Sequence, residues 1–214
     1  MKKTLSVIFV SVVLLVGCMG PPVRDPVKVN LNVPVGKIEG NEFVGIRYPF
    51  KISALPHWKV TMEIPDFMES LGYEKDGLME SEVFVYNPAT LSNLQIDLVP
   101  AGRYSKFSQE LAEWITEAAR GSFKEELEKD YGKGIDVVYA PTTPYSLKGV
   151  PYAAKKYATF TLKGVKREQG WIYGFSEPYQ LFILYIIQEK EGTSNNDRED
   201  LKKILDSFEV FSKK

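Results

Sequence analysis

The pattern of apolar and polar positions after residue 42 predicts strands, a long helix, more strands and a final helix. Apolar residues at every second position are typical of half-buried strands, whereas a spacing of three or four is typical of helices. Strands are predicted at residues 43–54 (broken near Pro49), 59–64, 82–86, 94–99, 135–139, 152–162, 171–175 and 179–188. Residues 181–187 are apolar without alternation, which indicates a central strand covered on both faces.

Two longer helices and one short helical segment complete the pattern. The main helix is predicted from an N-cap at Ser108 to about Lys129, and Gly132 and Gly134 end it. Its apolar stripe comprises Leu111, Ile115, Ala118, Phe123 and Leu127, with Trp114 beside them. The final helix follows a cap at residues 195–197 and buries Leu201, Ile204, Leu205 and Phe208. Residues 65–71 are predicted to form one or two helical turns, and the charged segment 164–170 a turn.

This order of elements predicts an α+β fold. Most gaps between the strands are short enough for hairpins, so the twisted β-sheet is expected to be largely antiparallel. The helices are expected to pack on the faces of that sheet. A single domain over residues 42–214 suits the length of the chain, and its 44% apolar content can supply a core.

The first residues have the layout of a secretory signal peptide. Lys2 and Lys3 precede an apolar run over residues 5–16, which is shorter than the ~20 residues needed to cross a bilayer as a helix. The run ends Leu15-Val16-Gly17-Cys18, which resembles the lipobox of bacterial lipoproteins. The resemblance implies cleavage after Gly17 and lipid attachment, palmitate included, to the sulfur of Cys18. The alternative is an ordinary signal peptide with a chance cysteine.

The leader is therefore assigned to residues 1–17, and the lipidated Cys18 with its tether to residues 18–41. The lipobox implies a membrane partner through the lipid and a place in the cell envelope. Lipoproteins without an aspartate after the cysteine more often reach the outer membrane, and Met19 occupies that position here. The outer membrane is accordingly favoured over the inner one if the host has two.

The tether itself has a strand-like pattern. Apolar residues alternate with polar ones over residues 27–35, but Pro34 confines any such strand to an edge. Two interpretations remain open, a flexible spacer and an extra edge strand docked on the domain.

Composition excludes several functional classes. The formal net charge of −1 gives no electrostatic footprint for nucleic acid. With one cysteine, no disulfide forms within the chain, and with one histidine a zinc site would depend mostly on carboxylates. Phosphate-binding and calcium-binding motifs are not found, so no cofactor and no metal are predicted.

The candidate chemistry is limited to His57, which lies beside Trp58 in a predicted turn. A serine, His57 and a carboxylate would make a hydrolytic site, but no G-x-S-x-G motif supports it. A turn histidine hydrogen-bonded to nearby backbone is the plainer interpretation. We therefore expect a protein that is not an enzyme.

An aromatic group near the last hairpin is the other candidate. Trp171, Tyr173 and Phe175 share one strand face by alternation, and Tyr179 follows them. Tyr145 and Tyr152 flank the loop 141–144 and are candidates to join the same patch. Two interpretations stay open, a core face and an aromatic binding patch for a protein or a small ligand.

Three segments in order resemble the PsbP-like family, named for an extrinsic subunit of photosystem II. They are FKISALPHWKV at residues 50–60, LKGVPYAA at 147–154 and ILDSFEV at 204–210. The resemblance implies a single α+β domain that usually serves in protein binding or assembly, and it implies no shared catalytic residues.

The sequence thus predicts a lipid-anchored envelope protein that acts as a non-catalytic protein-binding or assembly module, with an envelope protein as partner. The alternatives are a small-ligand binding lipoprotein (sugar, lipid or peptide) and a hydrolase of unknown type.

Overall fold

Twelve strands and three helices lie in the part of the chain that the computed structural model describes, residues 22–70, 83–103, 105–190 and 196–211. The strands are β1 Gly36–Glu39, β2 Glu42–Gly45, β3 Phe50–Ser53, β4 Lys59–Thr61, β5 Val83–Tyr86, β6 Asn93–Pro100, β7 Val138–Tyr139, β8 Thr143–Pro144, β9 Tyr152–Leu162, β10 Val165–Ser176, β11 Tyr179–Lys190 and β12 Glu209–Val210. The helices are α1 Asp66–Ser70, α2 Gln109–Tyr131 and α3 Asp197–Ser207.

The strands form two sheets. The larger has the order β4-β5-β6-β11-β10-β9-β7, with β8 also paired to β9, and the smaller has the order β1-β2-β3-β12. Every strand ladder is antiparallel. The expected α+β fold with a largely antiparallel sheet is therefore confirmed, and β11 occupies the central place that its unbroken apolar run predicts.

The large sheet is covered on both faces. Helix α2 packs on β9 and β10 and buries a cluster that contains Phe123, Phe160 and Trp171. On the opposite face, the small sheet and α3 close the main core. The contributions to that core include Ile96 and Ile183 from the large sheet and Ile204 from α3. The two faces therefore belong to two separate cores.

The predicted strand at residues 27–35 does not form, since the first strand begins at Gly36. The segment nevertheless docks on the domain. Val29 and Val35 pack against the main core, and the guanidinium of Arg47 donates to the carbonyls of Leu31 and Val33. The segment is thus neither the flexible spacer nor the edge strand, and Pro34 has no amide hydrogen to donate to a ladder.

Two turns were misplaced by the sequence pattern. The charged segment 164–170 is mostly the start of β10, which begins at Val165 and pairs with both β9 and β11. Residues 43–54 form a hairpin, because β2 and β3 pair with each other. The next strand, β4, is shorter than the predicted 59–64 and belongs to the large sheet.

Helix α2 begins as predicted, since the hydroxyl of Ser108 accepts the amide hydrogen of Leu111 at 3.1 Å. It ends at Gly132, whose φ of 91° lies in the left-handed region that favours glycine. Its large apolar residues lie on the covered side as predicted, with Phe123 and Leu127 buried, whereas Ala118 is exposed and the unpredicted Ala112 and Thr116 are fully buried. In α3, all four predicted apolar side chains are buried.

Candidate functional site

A lysine surrounded by tyrosines lies on the face of the large sheet opposite α2. The strand register places Tyr157 of β9 and Tyr185 of β11 on either side of Gly170 in β10. A Cβ at position 170 would lie 2.2 Å from the ring of Tyr185, so only glycine leaves room for that ring. Lys155 lies two residues before Tyr157 and therefore points to the same face.

The ammonium of Lys155 contacts three aromatic rings. Its Nζ lies 4.8 Å from the ring centroid of Tyr185, 5.4 Å from that of Tyr145 and 5.8 Å from that of Tyr157. These distances suit cation–π attraction. Among the described residues, no carboxylate lies within ion-pairing distance of this Nζ, and the side chain is half-buried. The site therefore holds a partly exposed amine in aromatic surroundings.

A buried carboxylate completes the group. Glu168 accepts a hydrogen bond from the hydroxyl of Tyr185 at 3.0 Å, and its other oxygen pairs with Arg198 of α3 at 2.9 Å. Arg198 also reaches Glu189 at 3.4 Å. Glu168 therefore has Tyr185 and Arg198 as its direct partners, and it acts on the lysine only through its charge at longer range. We call these six residues, Tyr145, Lys155, Tyr157, Glu168, Tyr185 and Arg198, the Lys155 cluster.

Burial sets the protonation of the cluster. It lowers the pKa of Lys155, with Glu168 acting in the opposite direction and Arg198 in the same direction. Burial also raises the pKa of Tyr185, and the neighbouring Glu168 raises it further. The pKa of Tyr145 is raised by burial and by Asp206. At neutral pH the phenols of Tyr145 and Tyr185 are therefore protonated, and the amine of Lys155 loses its proton more readily than that of an exposed lysine.

The chemistry open to this arrangement is that of an amine. A lysine that is desolvated, or that lies beside another cation, is a nucleophile toward carbonyl carbon. A metal centre is not indicated, because no group of three or more His, Cys, Asp or Glu side chains within the described ranges could hold a metal ion.

The predicted aromatic patch is not one surface. Trp171 and Phe175 are each 2% exposed, and both lie in clusters beneath α2. Tyr173 is half-buried on the same side and packs on Phe182. The core interpretation therefore holds for Trp171 and Phe175, which the helix covers.

The remaining members of that patch are divided between the two faces. Tyr152 is opposite Phe175 in the register, so it lies on the α2 side, and it is 38% exposed. Tyr145 and Tyr179 pack against the main core on the other side. Of the six aromatic residues, only Tyr145 belongs to the Lys155 cluster.

His57 has a side-chain partner. Its Nε2 lies 2.7 Å from Oδ2 of Asp200 in α3, whereas the sequence predicted a bond to nearby backbone. The buried Trp58 donates to the same carboxylate oxygen at 3.4 Å. The hydrolytic arrangement is incomplete in the described part of the chain, since no serine hydroxyl contacts this imidazole. The His57–Asp200 pair instead joins the 55–58 turn to α3.

Gly17 and Cys18 lie outside the described residues, so the lipobox stays a prediction. No helix within the described ranges has both the length and the apolar character to cross a bilayer. Four members of the Lys155 cluster besides Lys155 itself were missed by the sequence analysis: Tyr157, Glu168, Tyr185 and Arg198. Alternation in β9 could have paired Lys155 with Tyr157, but the rest required the register and the position of α3.

Comparison with solved structures decides the fold. The solution structure of cyanobacterial PsbP (CyanoP) from Synechocystis sp. PCC 6803 matches 83% of this chain and 99% of its own, with a TM-score of 0.52 at 9% identity. The fold is PsbP-like. At this identity the likeness establishes the PsbP-like fold alone, and the resemblance expected from the three sequence segments is confirmed at that level.

A crystal structure from Bacteroides thetaiotaomicron VPI-5482 covers 82% of the chain and 50% of its own at 12% identity, and its TM-score of 0.45 adds nothing to the PsbP-like assignment. No known family model matches the sequence, and no curated protein is significantly similar to it.

Proposed function

We propose that this protein is a lipid-anchored, non-catalytic protein-binding or assembly module of the cell envelope. The observation that supports the proposal best is the docking of the N-terminal segment, which joins the predicted lipid site to one end of the domain through a short stretch of chain. The partner is an envelope protein, and the anchor holds the domain at the membrane where it binds this partner.

Arg24 makes the decisive contact. Its side chain is 6% exposed. Its guanidinium donates to the carbonyls of Gly102 and Ser105, the latter at 2.8 Å, and stacks 3.8 Å from the ring centroid of Phe107. Hydrogen bonds from a charged donor are stronger than neutral ones. This arginine therefore holds the start of the described chain against the domain.

Arg24 binds the domain at the end where α2 begins and β10 turns into β11. Phe107 stacks on Phe175 near the end of β10, at a centroid distance of 4.4 Å. The guanidinium also lies 3.7 Å from Glu177, in the turn between β10 and β11. The backbone amide of Val23 donates to the backbone carbonyl of Arg103 at 2.9 Å. The N-terminal end of α2 and the β10–β11 turn thus lie together where the tether arrives.

The stretch between Cys18 and Val23 reaches at most about 18 Å when fully extended, at 3.3–3.6 Å per residue. A lipid on Cys18 would hold this end of the domain within that distance of the bilayer. The second contact, through Arg47 to Leu31 and Val33, keeps the following residues on the domain as well. Such an anchor would leave the domain little freedom to rotate.

The outer side of α2 offers a surface for a partner. Trp114 is 59% exposed there, although a large aromatic side chain is usually at least half covered. Tryptophan is enriched among the residues that dominate protein interfaces. Val138 of β7, at the edge of the large sheet, is 62% exposed. These exposed side chains support protein binding more than they support a small-ligand site.

The anchor is tested by expressing the full chain and its Cys18→Ser variant in a bacterial host. We expect the unaltered protein in the membrane fraction, with an N-terminus at residue 18 and an acylated cysteine by mass spectrometry. The variant should be unacylated. An unmodified Cys18, or a retained leader, in the unaltered protein would overturn the anchoring.

Partner binding is tested with a photo-crosslinking residue at position 114, in the anchored protein. We expect one envelope protein to be captured, and we expect the same residue at the exposed position 202 of α3 to capture none. Equal capture at both positions, or none at either, would contradict the assignment of the α2 surface. The variant Arg24→Ala should lower capture at position 114, because the domain would then tumble on its tether.

A further inference from the structure

Lys155 stands apart from the other lysine of the same strand. Lys156 is 4% exposed and is paired with Glu117 at 2.9 Å. Lys155 is also withdrawn from solvent, yet its neighbours are rings, and no carboxylate among the described residues pairs with it. A cation that is withdrawn from water without a partner is unfavourable, so such groups are found mainly where they act.

The surroundings make Lys155 lose its proton more readily than an exposed lysine does. The guanidinium of Arg198 lies in the same cluster, and Glu168 is occupied by Arg198 and by the hydroxyl of Tyr185. Attraction to the rings acts in the opposite direction and retains part of the population as ammonium. Burial and the like charge of Arg198 lower the pKa of Lys155, which agrees with the geometry.

We propose that Lys155 is a nucleophilic amine that captures small aromatic or apolar aldehydes and ketones as an imine. The lone pair of the neutral Nζ attacks the carbonyl carbon, and the carbinolamine then loses water. One C=N bond forms, the C=O bond breaks, and both amine hydrogens leave in the water molecule. No oxidant, reductant or further reactant is needed, and hydrolysis reverses the step.

The class of carbonyl compound follows from the rings. Tyr145, Tyr157 and Tyr185 present flat apolar faces around the amine, and such faces pack best on flat or apolar groups. The raised pKa of Tyr145 keeps its hydroxyl protonated, so that this phenol remains a donor at neutral pH. The inference does not depend on the lipid anchor or on the protein partner.

The test uses the full chain in detergent with benzaldehyde and cyanoborohydride, which reduces the imine to a stable benzyl-lysine. Peptide mass spectrometry then gives the labelling rate of each lysine near neutral pH. We expect Lys155 to react at least about threefold faster than Lys163, an exposed lysine in the turn between β9 and β10. A rate at Lys155 equal to or below that at Lys163 would overturn the proposal.

Two variants show whether the cluster is responsible. In Lys155→Met the fast-reacting site should disappear, while labelling of Lys163 stays the same. In Arg198→Met, the like charge is lost and Glu168 gains a free oxygen, so we expect labelling at Lys155 to slow severalfold. Circular dichroism confirms that each variant is folded. An undiminished rate in folded Arg198→Met would contradict the part assigned to the cluster.

Discussion

Lys155 and Lys156 are consecutive residues of β9, and they point to opposite faces of the large sheet. On the α2 face, Lys156 donates to the carbonyl of Ala140 at 2.8 Å and pairs with Glu117 of the helix at 2.9 Å. On the other face, the ammonium of Lys155 lies 4.8–5.8 Å from the centroids of three tyrosine rings, and no carboxylate within the described ranges pairs with it. Lys156 thus forms a structural ion pair beneath α2. Lys155, one position before it, lies among tyrosines at the border of the main core.

The difference originates in what covers each face. Helix α2 runs along β9 and β10 and places Glu117 beside Lys156, and Thr142 donates to the same carboxylate at 2.6 Å. The helix also satisfies Trp171, whose indole donates to the carbonyl of Thr116 at 2.8 Å. On the other face, α3 directs Arg198 to Glu168 and sends no acid to Lys155. Coverage by a helix therefore decides which polar groups find partners.

The largest expected effect is on the α2 face. Trp171→Ala should lower the free energy of unfolding by about 3–5 kcal/mol, because it removes a buried aromatic side chain and leaves a cavity beneath the helix. Urea denaturation measures the change. The control is Trp114→Ala on the exposed side of the same helix, which should change stability by no more than about 0.5 kcal/mol. Similar losses in both variants would mean that α2 does not cover Trp171.

The two lysines should respond to the same substitution with different signs. Lys156→Met should destabilise the protein by about 1–3 kcal/mol, since the partly buried carbonyl of Ala140 loses its charged donor and Glu117 loses its partner. Lys155→Met should leave stability unchanged or raise it by up to about 1 kcal/mol, because it removes the desolvation cost of the cation and loses only its attraction to the tyrosine rings. Each variant is the control for the other in urea denaturation. Equal destabilisation by both would show that Lys155 has a partner after all.

The smallest expected effect is a pH dependence. The pKa of Lys155 is lowered by burial from its ordinary value of 10.5, so between the folded and the unfolded pKa the unfolded chain binds more protons. Stability contributed by this group therefore rises with pH toward 10.5. Any advantage of Lys155→Met over the unaltered protein should shrink between pH 7 and pH 10, as urea denaturation at both values would show.

The unaltered protein and Lys155→Met share all other titrating groups, whose contributions cancel in the difference between the two free energies of unfolding. An advantage that grows with pH would require the opposite sign of the pKa shift, and it would contradict the neutral-amine interpretation of Lys155.

Much of the fold could be predicted from local signals. Ser108 and Gly132 bound α2 because a hydroxyl cap and a left-handed glycine act within a few residues of chain. The predicted stripe of α2 was right for Leu111, Ile115, Phe123 and Leu127, but it included the exposed Ala118 and missed the buried Ala112 and Thr116. These two small residues face β9, where the hydroxyl of Thr116 reaches the carbonyl of Ala154. A rule based on large apolar residues therefore finds the covered side of the helix but overlooks the small residues that lie closest to the sheet.

The start of β10 was missed for a related reason. Lys166, Arg167 and Glu168 appear as a charged turn in the sequence, but Glu168 meets Arg198 and Lys166 lies 4.0 Å from Glu189. Those partners come from the neighbouring strand and from α3, so they can be found only when the register is known. The Lys155 cluster depends on the same register across β9, β10 and β11, which no local pattern contains.

The lack of a side chain at Gly170 connects the Lys155 cluster to the packing of the large sheet. Two tyrosines from flanking strands converge on this one position, and a single added methyl group would displace the phenol that orients Glu168. The cluster thus depends on a residue without a side chain in the middle of the sheet. Its geometry cannot be altered at that residue without also disturbing the interior of the protein.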